Sequence, residues 1–426
     1  MLKDLVSQAR TPDRTNPPLA RPALGRTALT IATGTLLSSG LGLVRIAVIN
    51  AIFGQSAATG AFFAALKTPQ ALSDLLIGGA VSGALIPMLA RYSQPTQRAE
   101  LWRIIRGLLV LVVAVTALAT VLLVLTAPAF VPALNGGFAP PERALTVRLV
   151  MALAPMVVGT GIVAVLTAAL YAVQRAFVPA LAGGLLHLGI ITGAVLLAPR
   201  LGIAALAFGT LIGISAQILL LACALLPQFH VSAGGFAPLR WRSGSHHWRG
   251  GFHPAIGQIV RGYAPIAVGM LATLALQQVD QRLQSGTFDP ATHQYGGPNV
   301  AALATATLLI QFPAGLVAAA LAYAALPALA HAKEQPADFV HIVRRALGLG
   351  SALMVPVMLV YLLLGNQIVA LLFARHAFTA TDVARTALAL RGYAPQLPAL
   401  VVEQVLLAAF YARGQPHVPL ITGLCA

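Results

Sequence analysis

The chain has 426 residues, 58% of them hydrophobic and 9% charged, with a net charge of +16 and a mean hydropathy of +0.83. Soluble chains carry roughly 25% charged residues, so this one cannot cover a globular surface with water-seeking groups and reads as an integral membrane protein. The basic excess does not indicate nucleic acid, because the arginines fall between apolar runs and form no basic face with interleaved aromatics; the positive-inside rule accounts for them.

Residues 1–26 are polar, with Lys3, Arg10, Arg14, Arg21 and Arg26 among several prolines. They are expected to form a disordered cytoplasmic tail. The first apolar run, about 27–52, outlasts a signal-peptide core and lacks a cleavage site, so it is predicted to be retained as span one. Arg45 lies inside it. Span two occupies 57–94 and is unusual for a lipid-facing helix. It carries Lys67, Pro69 and Asp74 together with Gly60, Gly78, Gly79 and Gly83. A charge at bilayer depth costs about 2.5–3.5 kcal/mol on insertion scales, and proline and glycine there imply a helix bending beside protein or water. This stretch is predicted to line a path for something polar.

Further spans follow at about 104–127, 146–171, 177–197 and 203–226. The connection 227–261 is basic, with Arg240, Arg242, Arg249 and Arg261, and holds His230, His246, His247 and His253 without metal-ligand spacing. It is expected to be a cytoplasmic linker meeting anionic lipid. Spans seven to ten are predicted at about 263–283, 300–330, 347–372 and 386–411, and an eleventh begins near 418. That makes roughly ten full spans at about 20 residues each. With the N-terminus in the cytoplasm, the inner segments collect most of the Lys and Arg, while the outer loops and flanks hold Arg143, Arg200, Arg282, Arg375 and Arg385.

The chain also matches itself at a fixed offset. Ala154-Pro155 recurs as Ala394-Pro395, Tyr171-Ala172 as Tyr411-Ala412, Val178-Pro179 as Val418-Pro419, and Pro87 as Pro327. An even number of spans separates the copies, so the halves have parallel topology, a transporter signature with the substrate site between them near the midplane. The expected fold is an all-α polytopic membrane protein of two parallel-repeat helical lobes. The N-lobe is 27–226, with six helices. The C-lobe is 262–426, with about four helices and the start of a fifth, so the second lobe and the C-terminal helices are expected to be incomplete.

Among ionisable groups, Arg45 and Lys67 are the candidates for an anionic substrate, since intramembrane charges default to function and a guanidinium suits phosphate oxygens. Asp74 is expected to sit at the same site, ion-paired with Lys67 or with Arg45. Asp280 and Arg282 read as an interfacial anchor pair. Glu403, with Arg391 in the same span, is the candidate for ion or proton coupling. Cys223 and Cys425 suggest no disulfide framework. No nucleophile elbow, P-loop, dinucleotide fingerprint or zinc motif appears, so neither an enzyme, a cofactor nor a metal is expected.

The pattern Phe53-Gly54, Thr59, Ala61-Phe62-Phe63, Ala65, Lys67, Pro69 resembles the signature of the MurJ/MviN family, the lipid II flippases of the multidrug/oligosaccharidyl-lipid/polysaccharide exporter superfamily. The runs at 202–221, 310–330 and 395–411 resemble that family's sixth, eighth and tenth helices, and the likeness extends from about residue 27 to the end. It implies fourteen helices in the whole family fold, of which the last are missing here. It also implies a cationic cavity and transport of an undecaprenyl-pyrophosphate-linked disaccharide pentapeptide from inner to outer leaflet by alternating access. The implied partners are that precursor, membrane lipids and other cell-wall synthesis proteins. The chain departs from the family pattern at Ser39, where an arginine would open the motif that ends in Arg45, and at Gly60, Ser73-Asp74 and Leu308. Two other functions compete: export of a different lipid-linked glycan or an organic cation by the same scaffold, and a non-transporting membrane scaffold.

Overall fold

The structure, a computed structural model, describes residues 21–78, 85–92, 97–175, 177–227, 257, 270–271, 274–289, 294–332 and 335–413. The expected linker and eleventh span lie almost wholly outside these residues.

Helix α1 runs Arg21–Phe53. It therefore begins inside the expected tail, with Pro22 in the first turn, where a missing N–H removes no helical bond. Gly54 ends it at φ +59, donating to Asn50 O at 2.9 Å, a left-handed closure that glycine adopts without penalty. Ser56 then caps α2, Ala57–Ser73, accepting from Thr59 N. Pro69 stands inside α2 and cannot donate to the preceding turn. One turn later the helix widens into a π-helical turn, Asp74–Gly78, the kind of irregularity that concentrates at functional sites.

After a short α3 (Ile86–Arg91) comes the long α4 (Arg98–Leu134). Then α5 (Pro140–Leu153) and α6 (Met156–Ala172) meet at a break. Helix α7 (Phe177–Thr192) passes through a second π turn, Gly193–Leu197, into α8 (Ala198–Leu201). Helix α9 (Ala204–Leu225) completes this N-terminal group. The C-terminal group comprises α10 (274–285), α11 (Gly297–His331), α12 (Pro336–Phe373), α13 (Ala380–Tyr393) and α14 (Gln396–Ala412). Between α10 and α11 the expected loop forms a two-residue antiparallel ladder, β1 (Phe288–Asp289) on β2 (Gln294–Tyr295), with Phe288 opposite Tyr295. Their rings stack at 5.0 Å, which is the cross-strand contact that holds so short a pair.

The self-match has a structural echo. At both Ala154-Pro155 and Ala394-Pro395 a helix stops and another starts. The bonds recur in kind: Ala154 N to Val150 O (2.8 Å) and Ala394 N to Leu390 O (2.9 Å), then Val157 N to Ala154 O and Leu397 N to Ala394 O, both 3.1 Å. The expected continuous span ten is thus two helices, α13 and α14, bent by 43°, because the proline cannot donate into the preceding turn.

Glycine sets the tightest packing. Gly189 on α7 and Gly193 at the start of the following π turn face Gly209 and Gly213 on α9, each pair spaced by four. A Cβ at Gly193 would stand 2.6 Å from Ala205 O, and one at Gly209 2.6 Å from Gly189 O. The two backbones touch, as small-residue stripes allow within membranes. Larger apolar residues fill the remaining core. Ile46, Ile49, Phe62, Leu153, Val300, Leu309, Val369 and Leu390 form one cluster that spans both groups, and Leu89, Leu101, Ile104, Leu170 and Leu221 form a second within the N-terminal group.

Among the described residues, five helices are long and apolar enough to cross a bilayer, six if the bent pair is one span. The chain is therefore multi-pass. The roughly ten spans expected exceed this number because several candidates are interrupted by proline, glycine or charge, or run through residues not described.

Candidate functional site

A cavity of about 600 Å³ lies where the two groups meet. Helical spacing explains its walls. Ser38, Gly42 and Arg45 project from one face of α1; Leu66, Gln70, Ser73 and Ile77 from one face of α2 and its π turn; Met156, Thr160 and Ala164 from one face of α6. Leu186, His187 and Ile190 of α7 and Thr210 of α9 complete the N-terminal share. The C-terminal group contributes Leu308, Gln311 and Phe312 of α11, and Ser39 and Asp74 close the lining.

The polar groups of the wall are unevenly satisfied. Thr160 Oγ1 donates within reach of both Ser73 Oγ and Met156 O, at 2.9 Å each, and Ser73 Oγ donates to Pro69 O at 2.9 Å. By contrast Arg45 Nε and His187 Nδ1 are buried without a hydrogen-bond partner among the described residues. Unpaired buried nitrogens carry a desolvation cost.

The expected site residues separate. Arg45 and Asp74 both line the cavity, but no ion pair joins Asp74 to Arg45 or Lys67 among the described residues, which corrects that expectation. Two helical turns put about 10 Å between positions 67 and 74, and Lys67 has a nearer partner. Turned about 100° from its neighbour Leu66, it leaves the cavity face and donates to Gln284 Oε1 of α10 at 2.6 Å. Gln284 Nε2 in turn donates to Asp280 Oδ2 at 2.6 Å. Arg282 Nη1 donates to Ala133 O at 3.0 Å. Glu403 is exposed on α14, away from the cavity. Arg391 lies across the break on α13, half-buried, its Cγ 3.7 Å from where a Cβ on Gly365 would be. The structure brings neither Glu403 nor Arg391 to the cavity.

Sequence reasoning missed His187, although an ionisable side chain inside an apolar run is the signal that singled out Arg45. It also missed a seam that closes the cavity at the end where α1 stops. There Asn50 Nδ2 and Gln55 Nε2 both donate to Thr305 Oγ1, at 3.3 and 3.2 Å, and Gln55 Nε2 also reaches Thr386 Oγ1 at 3.2 Å. Gln281 Nε2 donates to Ala64 O at 3.2 Å and to Asn135 Oδ1 at 3.1 Å. Ala377 N donates to Ala51 O at 3.0 Å. At Gly60 and Gly297 the backbones themselves meet: a Cβ on Gly297 would stand 2.6 Å from Ala57 O. No single polar residue in this seam is distinctive in sequence; only the fold brings them together.

Known proteins share this arrangement. The solved structure of "Lipid II flippase MurJ, inward closed conformation" superposes with a TM-score of 0.74 at 19% identity, covering 93% of this chain and 78% of that one. An inward-facing multidrug-resistance MATE transporter of the MOP superfamily superposes less well, with a TM-score of 0.57 at 16% identity over 93% and 83% of the two chains. In sequence, the lipid II flippase MurJ of Burkholderia cenocepacia is 26% identical over 406 residues, covering 93% of this chain and 75% of that protein. The family profile "Lipid II flippase MurJ" matches residues 49–426, and on that match the chain belongs to the MurJ family of lipid II flippases.

Proposed function

We propose that this protein is a lipid II flippase of the inner membrane, moving the lipid-linked peptidoglycan precursor from the inner to the outer leaflet. Family membership supports the cargo, and one observation carries the mechanism: Arg45 lines a cavity that both helical groups wall. A guanidinium offers planar, paired donors to phosphate oxygens. A pyrophosphate entering the cavity would accept from the Arg45 guanidinium on its wall.

The two groups then act as lobes, 27–226 and 262–426, joined by the linker 227–261. With the N-terminus in the cytoplasm, the seam lies on the outer side and the cavity belongs to an inward state. Rocking the groups apart at the seam while they close on the inner side gives alternating access around a site that stays in place. Lys67, held across the seam by Gln284, is released on opening and becomes available to the cargo. Glu403 and Arg391 stand as coupling residues that act at a distance from the cargo. The precursor must come from enzymes that build it on the inner leaflet and pass to enzymes that polymerise it outside, so cell-wall synthesis proteins are the proposed neighbours.

One observation favours a second reading, export of an organic cation. Asp74 lines the cavity, and no ion pair holds it among the described residues. Complementation separates the two. A bacterium depleted of its own lipid II flippase is expected to grow when it carries this chain and to fail with Arg45→Ala, while Asp74→Asn still rescues. Failure of Asp74→Asn with retained rescue by Arg45→Ala would move the assignment to the cation reading.

A further inference from the structure

Among the described residues, the cavity's basic side chains all stand on one side. Arg45 of α1 and His187 of α7 belong to the N-terminal group, and the C-terminal wall is Leu308, Gln311 and Phe312, which carry no charge. His187 packs against the α1 face at Gly42, one turn before Arg45, where a Cβ would lie in ordinary contact, 3.6 Å from His187 Nε2. The imidazole turns Nε2 toward α1 and leaves Nδ1 buried without a partner among the described residues, as Arg45 Nε is left. Two basic side chains on adjacent helices lining one cavity of about 600 Å³ make a two-point seat for an anion with acceptors on both sides, such as a diphosphate. Asp74 stands on the α2 wall of the same cavity, where its carboxylate repels excess negative charge and would favour an anion held close to Arg45 and His187.

We propose that His187 is an anion-contacting residue of the cavity, paired with Arg45, so that the diphosphate of the cargo is held by the N-terminal group alone and the uncharged α11 wall meets the rest of the molecule. This rests on the lipid II reading for the identity of the cargo, but not for the seat itself.

The test uses the purified full chain in lipid nanodiscs. Binding of inorganic pyrophosphate, inorganic phosphate and lipid II is measured for wild type, His187→Ala, His187→Asn and Arg45→Ala. Loss of one of two charge-assisted contacts is expected to weaken pyrophosphate and lipid II about tenfold in His187→Ala. Phosphate, which one residue can satisfy, should change little, so the preference for diphosphate over monophosphate should fall. His187→Asn, which places a donor near the position of Nδ1, should restore most of that preference. If His187→Ala binds pyrophosphate like wild type, or loses phosphate and pyrophosphate alike, the seat is overturned. Wild type that binds lipid II with no dependence on His187 removes the seat and keeps the lipid II reading. Wild type that binds pyrophosphate through His187 but ignores lipid II keeps the seat and removes that reading. Wild type that binds no pyrophosphate removes the seat.

Discussion

Arg45 and Lys67 look alike in sequence, one cation each in an apolar run, and the fold gives them different work. Arg45 lines the cavity; Lys67 spends its charge across the seam on Gln284. Substitutions should separate them. Arg45→Lys keeps the charge but loses the planar fork, so flipping measured in reconstituted vesicles is expected to fall about tenfold, the value of one charge-assisted contact, and not to vanish. Unchanged flipping would mean that charge alone is read there. Lys67→Met leaves Gln284 Oε1 without its donor, a loss of about 1–3 kcal/mol for a buried polar group. It should lower the melting temperature of the seam-closed protein without weakening pyrophosphate binding. The single-residue signal was legible for Arg45 and Asp74 because ionisable groups are rare and costly in apolar segments. It could not say which way Lys67 points, since that depends on α10, more than two hundred residues away. For Glu403 the same signal pointed to a site where the structure shows an exposed helix face.

At the scale of elements, four glycines fix the geometry of the N-terminal group. Gly189, Gly193, Gly209 and Gly213 let α7 and α9 touch along their backbones, and that contact places His187, two residues before Gly189, against α1. Gly209→Leu is therefore expected to act beyond its own position. Overpacking costs about 1–3 kcal/mol, and α7 must shift from α9, taking His187 with it. Thermal unfolding should fall by several degrees, and pyrophosphate affinity should fall in parallel with His187→Ala. Unchanged stability would show that the helices separate freely there. The paired Ala-Pro breaks were visible in sequence as a repeat, and their effect follows from the missing proline donor. The π turns at Asp74–Gly78 and Gly193–Leu197 were not, because apolar periodicity does not distinguish one inserted residue within a helix from none.

For the whole molecule, the decisive question is whether the seam opens. Its polar bonds are few and run between amides, hydroxyls and backbone carbonyls, with no buried ion pair among the described residues to lock it. Such a contact resists water yet can be exchanged for water at modest net cost, about 0.5–1.5 kcal/mol per bond. Gly60 and Gly297 allow the close approach: a side chain at either position meets the opposite backbone. Gly60→Val should therefore keep the groups apart at this end while leaving each intact. An overpacking penalty of about 1–3 kcal/mol converts to roughly a five- to 150-fold shift in the closed-to-open ratio. Thr305 is fully buried in the closed seam. In a Cys223→Ser, Cys425→Ser background, Thr305→Cys should react slowly with a membrane-impermeant thiol reagent. Adding Gly60→Val should speed that reaction by about the same factor, from the outer side only, and should slow lipid II transport because the cycle no longer returns. Equal labelling with and without Gly60→Val would show that this seam is a fixed joint, and the alternating motion would then have to lie elsewhere in the bundle.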